Sequence, residues 1–193
     1  MSATGDLYEF VFRGFLAEEA LDQAGRIHPN ILGSLDEAIA ERLAVDSLDE
    51  AFVSPARQMA VVYMTIAAFE NSVRKLISTM LLEKVGEDWW DKCVSTGIKK
   101  KAESRQREEE KVRWHTQRGA SPINYTDMGD LGNIIRNAWT HFEAHLPSIE
   151  WANSVLDVVE RSRNVIMHSG FLGREDVERV GINIRDWVKQ VGA

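Results

Sequence analysis

A regular apolar stripe between Pro55 and Gly86 constrains the fold of this chain more than any other feature. That spacing places the apolar residues on one face of an α-helix. Ser54-Pro55 predicts the start of the helix, because a proline at the first helical position loses no hydrogen bond, and Gly86 predicts its end. A helix this long, with one buried face, needs other helices to cover it. The stripe consists of Met59, Val62, Tyr63, Ile66, Phe69, Val73, Leu76, Ile77, Met80 and Leu81.

Helix signals recur along the rest of the chain, whereas strand signals are weak throughout. We expect Ser34 to cap a second helix, with Glu37 completing a capping box. Thr126 or Asp127 is expected to cap a helix that extends to Phe142. The predicted helices cover about 6–26, 34–43, 55–85, 127–142, 149–168 and 174–191, and the polar segment 97–118 is expected to be helical as well. These patterns predict an all-α bundle.

Charge and cysteine content restrict the class of protein. The net charge is −7, which argues against a general nucleic-acid-coating protein. The chain has one cysteine, Cys93, so it can form no internal disulfide, and we expect a cytoplasmic protein with an inert, buried thiol. No N-terminal segment reads as a secretion signal, and the longest apolar run, Met59–Phe69, is too short to span a bilayer.

A basic segment interrupts this acidic chain between Gly97 and Arg118. Such a segment can contact a phosphate backbone, and equally it can be a solvated helix face with internal Glu–Lys and Glu–Arg pairs. Both interpretations stay open from the sequence. The candidate RNA contacts in this segment are Lys99, Lys100, Lys101 and Arg105.

The segment Glu160–Gly170 contains the side chains best suited to chemistry. Arg163 can hold a phosphate through a planar fork of donors, and His168 can transfer a proton near neutral pH. This combination is suited to cleaving RNA without a metal. On an ideal helix Asn164 and His168 lie about 40° apart, but Arg163 and His168 lie about 140° apart. Either the helix deforms near Gly170, or two copies of it pack together and line one shared cleft.

The spacing of Arg163 and His168 resembles the R-x4–6-H signature of the HEPN superfamily, the higher eukaryotes and prokaryotes nucleotide-binding domains. Asn164 follows the arginine, as it often does in that superfamily. Further segments are similar to one branch, which is named for a eukaryotic messenger-RNA quality-control endonuclease and is widespread in prokaryotes. These segments are Phe69-Glu70 with Arg74, Gly86–Trp90, Ile123–Leu131, Glu160 and Ile184–Trp187.

The resemblance implies an all-α HEPN-like domain at 55–193. Residues 1–54 resemble no known family, and their helix signals predict an N-terminal helical extension. The resemblance also implies a homodimer formed through the motif helix. The implied activity is metal-independent endoribonuclease activity without a cofactor, in a toxin or in antiviral defence. An antitoxin-like or other regulatory protein is a further expected partner. Carried over by position, the catalytic residues are Arg163, Asn164 and His168, and the supporting residues are Glu160, Glu70 and Arg74.

Two other classes of function remain as alternatives. One is a non-catalytic HEPN module that binds a nucleotide, RNA or a partner protein, and the other is a helical interaction protein whose motif match is accidental. A zinc site is disfavoured. His141 and His145 are four residues apart, but Phe142 stands where a metalloprotease motif needs glutamate, so we expect both to be exposed helix residues.

Overall fold

The computed structural model describes Leu21 and residues 29–192, with side chains from Asp36 onward and that of Leu21. All regular secondary structure in this part of the chain is helical, so the predicted all-α class is confirmed. The helix predicted over 6–26 lies, apart from Leu21, outside the described residues. The chain divides between Ser54 and Pro55 into two units, and each is described by itself.

The first unit contains helix α1, Pro29–Arg42, and a 3₁₀ turn, Val45–Ser47. The prediction of Ser34 as an N-cap was wrong, because Ser34 lies inside α1. The helix begins five residues earlier, at a proline whose missing N–H costs nothing at a helix start. The capping-box pattern at Ser34 therefore predicted the start of the helix at the wrong residue.

Helix α2, Glu50–Val85, carries the long apolar stripe. Its predicted start at Ser54-Pro55 was wrong, because the helix continues through Pro55. Asp49 starts it instead: the Asp49 carboxylate accepts a hydrogen bond from Ala51 N–H at 2.9 Å, and the Asp49 carbonyl accepts from the next two N–H groups. The predicted end is correct, since Gly86 adopts φ 96°, which favours glycine.

Five further helices complete the described part of the second unit. They are α3 Trp89–Cys93, α4 Thr96–Glu110, α5 Met128–Asn137, α6 Ile149–Met167 and α7 Arg174–Val191. Of the two candidates for the cap of α5, Asp127 is the N-cap and forms a capping box with Asp130. Ser148 caps α6, as the sequence predicts.

Helix α5 is shorter than predicted. It ends at Asn137, because Ala138 leaves the helical region at φ −108° and ψ 25°. A 3₁₀ turn, Trp139–His141, follows and still buries Phe142 completely. The apolar spacing was preserved by a turn of another kind, which the periodicity alone does not distinguish from a longer α-helix.

The core of the second unit lies between α2, α5, α6 and α7. Phe69 contacts Trp187 edge to face at 5.7 Å, and Trp151 stacks on Trp187 at 5.5 Å, so one indole joins α2, α6 and α7. Each fully buried aliphatic or aromatic side chain stabilises the fold by about 1.5–3 kcal/mol before entropy is counted. The most deeply buried positions include Ile66, Val73, Ile77, Leu81, Leu131, Ile134, Ile135, Val155 and Val159. Tyr63, predicted to belong to the buried stripe, is exposed.

Helices α5 and α6 approach closely at Gly132. A Cβ atom there would lie 2.9 Å from Asn153 Oδ1 and 3.4 Å from Leu156 Cδ1. This contact brings the N-terminus of α5 beside the polar face of α6, which carries the sequence motif.

Among the helices that the structure describes, none is long and apolar enough to cross a bilayer.

Candidate active site

The polar face of α6 forms one wall of a cleft of about 610 Å³. Arg163 and Asn164 of the motif line this cleft together with Glu160, one turn earlier. Four arginines and three carboxylates line it in total, which is a slightly cationic balance in a chain of net charge −7. The lining residues are Glu70, Asn71, Arg74, Arg105, Arg118, Asn124, Thr126, Asp127, Glu160, Arg163 and Asn164.

Glu70 connects α2 to the motif arginine. It is buried, with only 7 % of its surface exposed, and it pairs with the Arg74 guanidinium. Its second oxygen, Oε2, lies 3.5 Å from Arg163 Nε. The ion pair Glu70–Arg74 therefore extends to the motif arginine. A buried carboxylate shared by two guanidiniums restricts the orientation of both.

Arg74 is itself anchored to the backbone of the 3₁₀ turn Pro122–Tyr125 and the residue after it. Its Nε donates to the Ile123 carbonyl at 3.3 Å, and its Nη2 donates to the Thr126 carbonyl at 2.9 Å. These bonds join α2 to the segment that leads into α5. The result is a continuous chain of polar contacts from that backbone through Arg74 and Glu70 to Arg163.

The four predicted RNA contacts separate into distinct environments. Arg105 lines the cleft and is held by the Tyr125 carbonyl at 2.7 Å and by Asp127 Oδ2 at 2.9 Å. Lys101 pairs with buried Asp130 at 3.1 Å. These two side chains dock α4 onto the N-terminus of α5.

The other two lysines do not line the cleft. Lys99 is half-buried, and its Nζ contacts the Asp91 carbonyl at 2.8 Å and Asp91 Oδ1 at 3.0 Å. Lys100 is exposed and lines a separate groove on α4 beside Glu103 and Arg107. In this arrangement Arg105 is the one member of the set that is placed beside the motif residues.

The pKa values of two carboxylates beside the N-terminus of α5, Glu160 and Asp127, shift in opposite directions. Burial raises the pKa of Glu160, and the neighbouring charge of Asp127 adds to this, while the Gly129 N–H and Arg163 act in the opposite direction. A Cβ atom at Gly129 would lie 3.5 Å from Glu160 Oε2, so the carboxyl group sits against the first turn of α5. Burial would also raise the pKa of Asp127, but hydrogen bonds from Arg105 and the Asp130 N–H outweigh it and hold that pKa below its usual value.

His168 lies at the end of α6, outside the set of residues that line the cleft. It is exposed and serves as the C-cap. The helix ends in a Schellman motif: Ser169 N–H donates to the Ile166 carbonyl at 3.0 Å, and Gly170 N–H donates to the Val165 carbonyl at 2.8 Å. Ser169 adopts φ 61°, and a Cβ atom at Gly170 would lie 2.7 Å from the Val165 oxygen, so glycine is needed there. The helix end is thus well defined, and within one chain it does not carry His168 into the cleft.

Arg118, Asn71 and Asn124 also line the cleft, but none of them was predicted as a site residue; Asn124 was named only as part of the segment Ile123–Leu131. Asn71 follows Glu70 directly, so its position beside a predicted supporting residue was the available signal. Arg118 and Asn124 reach the cleft from either side of Gly119, in a segment without helical periodicity. No spacing rule in the sequence indicated their proximity to α6.

The two histidines considered for zinc do not share a helix face. His141 is half-buried at the end of the 3₁₀ turn, and His145 is exposed in the turn that follows, so the prediction of two exposed helix residues was wrong. The cause is the early end of α5. Within 29–192, no cluster of three or more potential metal ligands is present.

Cys93 is half-buried, and burial raises the pKa of its thiol.

The all-α fold places Arg163 and Asn164 of the Arg-Asn-x₃-His segment in a polar cleft. The family model described as Swt1-like HEPN matches residues 65–192, about two thirds of the chain. The chain therefore belongs to the Swt1-like HEPN family, and the resemblance stated from the sequence is confirmed. No curated protein and no solved structure gave a significant match.

Proposed function

We propose that this protein is a metal-independent endoribonuclease that acts as a homodimer, in antiviral defence or as a toxin. The observation that carries the proposal is the position of Arg163. Its guanidinium is held by Glu70 at the wall of the cleft, next to Asn164, on the helix that ends at His168. Family membership is consistent with a nuclease.

The proposed reaction breaks the bond between phosphorus and the 5′-oxygen of the following nucleotide. The ribose 2′-oxygen attacks the adjacent phosphorus and gives a 2′,3′-cyclic phosphate, and the 5′-oxygen leaves as a hydroxyl. His168 exchanges protons with the attacking or the leaving oxygen. Arg163 stabilises the charge that develops on the phosphoryl oxygens, and Asn164 orients the substrate or His168. Glu70 and Arg74 act as positioning residues for Arg163.

A second copy of the chain would complete this site. His168 does not line the cleft that contains Arg163, so the chemistry requires it from elsewhere. Val165, Met167 and Phe171 are exposed apolar residues at the end of α6. Packing two such ends together would cover these side chains and place His168 of the partner subunit near the cleft.

Three further features belong to the same proposal. Residues 55–193 form the HEPN domain and 1–54 an N-terminal helical extension, and the protein is cytoplasmic, as a single cysteine suggests. A regulatory or antitoxin-like protein is a suitable partner for a nuclease with so acidic a chain.

Cleavage of a structured RNA in the presence of EDTA tests the proposal. The native chain should produce 2′,3′-cyclic phosphate ends. His168→Ala should lose activity by about a hundredfold or more because proton transfer is lost, and Arg163→Ala by a similar factor because the developing phosphoryl charge is no longer stabilised. His145→Ala removes an exposed histidine outside the motif and should leave cleavage unchanged. An RNA with one 2′-deoxy substitution at the scissile nucleotide should resist cleavage.

A light-scattering mass tests the dimer separately. A strict monomer at assay concentrations that nevertheless cleaves RNA would refute the shared cleft. The alternative, a non-catalytic HEPN module that binds RNA, a nucleotide or a protein, is favoured by the location of His168 outside the cleft of the single chain. RNA binding without cleavage by the dimer would support that alternative.

A further inference from the structure

The loop between α4 and the 3₁₀ turn at Pro122 presents a tryptophan to solvent. Trp114 is 86 % exposed, whereas the other five tryptophans of the chain are buried or half-buried. Single exposed apolar residues are common on protein surfaces, so exposure alone indicates nothing. The setting of Trp114 is what distinguishes it.

Residues 111–118 contain one lysine, two arginines and one histidine, and no carboxylate. Lys111 and Arg118, at the two ends, pair with Glu108 at 2.6 Å and with Glu109 at 2.5 Å. These pairs tie both ends of the loop to the last turn of α4. Arg113, in the middle, has no carboxylate within 4 Å among residues 36–192, and it directly precedes Trp114 in the sequence.

The loop is connected to the cleft through Arg118. That residue lines the cleft, its guanidinium lies 5.9 Å from the centre of the Tyr125 ring, and the Tyr125 hydroxyl donates to the Gly119 carbonyl at 3.0 Å. Trp114 is four residues earlier, so its Cα atom lies within about 14 Å of that of Arg118. A polymer that occupies the cleft can therefore reach the indole within a few monomer units.

The chemistry of the loop fits one ligand class. An exposed indole offers a face on which an unpaired base can stack, and neighbouring cations contact the phosphates that follow. In a duplex the bases are already stacked and paired, so the same loop would gain only the phosphate contacts. We propose that residues 111–118 form a binding arm for single-stranded RNA, with Trp114 stacking on a base outside the cleft and Arg113 contacting a phosphate. This inference rests on the proposed RNA substrate and adds where, and in which form, the RNA is bound.

Binding is measured by the anisotropy of a fluorescently labelled single-stranded RNA, in a His168→Ala background that prevents cleavage. Trp114→Ala should raise Kd about tenfold or more, while Trp114→Phe, which keeps an aromatic face, should stay within about threefold. Phe52→Ala is the matched control, because it removes an aromatic side chain that is 76 % exposed in the other unit, and Kd should not change. Arg113→Ala should lower the slope of log Kd against log salt concentration by about 0.7, the contribution of one phosphate contact to a single strand.

The outcomes separate this inference from the proposed function. If Trp114→Ala binds single-stranded RNA as the His168→Ala parent does, or loses affinity equally for a duplex of the same sequence, the binding arm is refuted. In the otherwise native chain, Trp114→Ala should raise KM for cleavage and leave kcat unchanged. An unchanged KM in a cleaving enzyme overturns the binding arm alone. Trp114-dependent binding without cleavage supports the arm and overturns the nuclease, and a native chain that neither binds nor cleaves RNA overturns both.

Discussion

Removing the Glu70 carboxylate tests whether the Arg74–Glu70–Arg163 contacts hold the candidate site together. Glu70→Ala leaves two guanidiniums facing the space where a buried carboxylate stood. Arg74 has a side chain that is 14 % exposed and pairs with Glu70 directly, whereas Arg163 is 36 % exposed and lies 3.5 Å away. The two arginines should therefore contribute very different coupling energies.

Breaking a buried ion pair costs about 3–5 kcal/mol, because the remaining charge is left uncompensated. For Glu70→Ala we expect the lower value of this range, because Arg74 keeps its hydrogen bonds to the Ile123 and Thr126 carbonyls. We expect Glu70→Ala to lower the free energy of unfolding by about 3 kcal/mol. Solvent screens Arg163, so its coupling to Glu70 should be about 0.2–1 kcal/mol, against about 2–3 kcal/mol for Arg74.

Two double-mutant cycles measure these energies by urea unfolding followed by circular dichroism. One combines Glu70→Ala with Arg74→Ala, and the other combines Glu70→Ala with Arg163→Ala. A coupling to Arg163 that equals or exceeds the coupling to Arg74 would refute the assignment of Arg74 as the anchor. A Glu70→Ala variant as stable as the native chain would refute the whole contact chain.

Three further predictions follow from single positions. Gly132→Ala should destabilise the protein by about 1–3 kcal/mol in thermal unfolding, because its Cβ would lie 2.9 Å from Asn153 Oδ1. The control is Gly97→Ala, which should be neutral or slightly stabilising, because its Cβ would have no atom within 4 Å. Because the folded state raises the pKa of Glu160 above 4.5, it binds that proton more tightly than the unfolded chain does, and stability should fall as pH rises from 4.5 through the raised pKa. Glu160→Gln should remove this slope, and an unchanged slope would contradict the assignment. Ser148→Ala should cost about 1 kcal/mol in urea unfolding, since its hydroxyl accepts from the Trp151 N–H at 3.0 Å, and no loss would show that the cap is dispensable.

Family membership was accessible from the sequence because its signature is local. Arg163, Asn164 and His168 lie within six consecutive residues, and the segments that support the resemblance keep their order along the chain. The activity and the site residues remain proposals. The sequence already indicated that His168 and Arg163 do not meet on one helix, because about 140° separates them around the helix axis. In the structure His168 lies outside the cleft that Arg163 lines.

Helix type and several helix ends were also determined by the sequence alone, because they depend on side chains three or four residues apart. The apolar stripe of α2, the Gly86 end and the Ser148 cap are examples. Helix starts were less secure where two signals competed. At Pro55 a favourable start sequence lies inside a helix that Asp49 begins.

Only the tertiary structure decided which charged residues meet. Arg74 binds backbone carbonyls 49 and 52 residues further along the chain, and Arg105 binds Asp127, the cap of α5. Arg118 reaches the same cleft from a segment without periodicity. Contacts of this kind depend on how helices pack, and a sequence records each charge without its distance to the others.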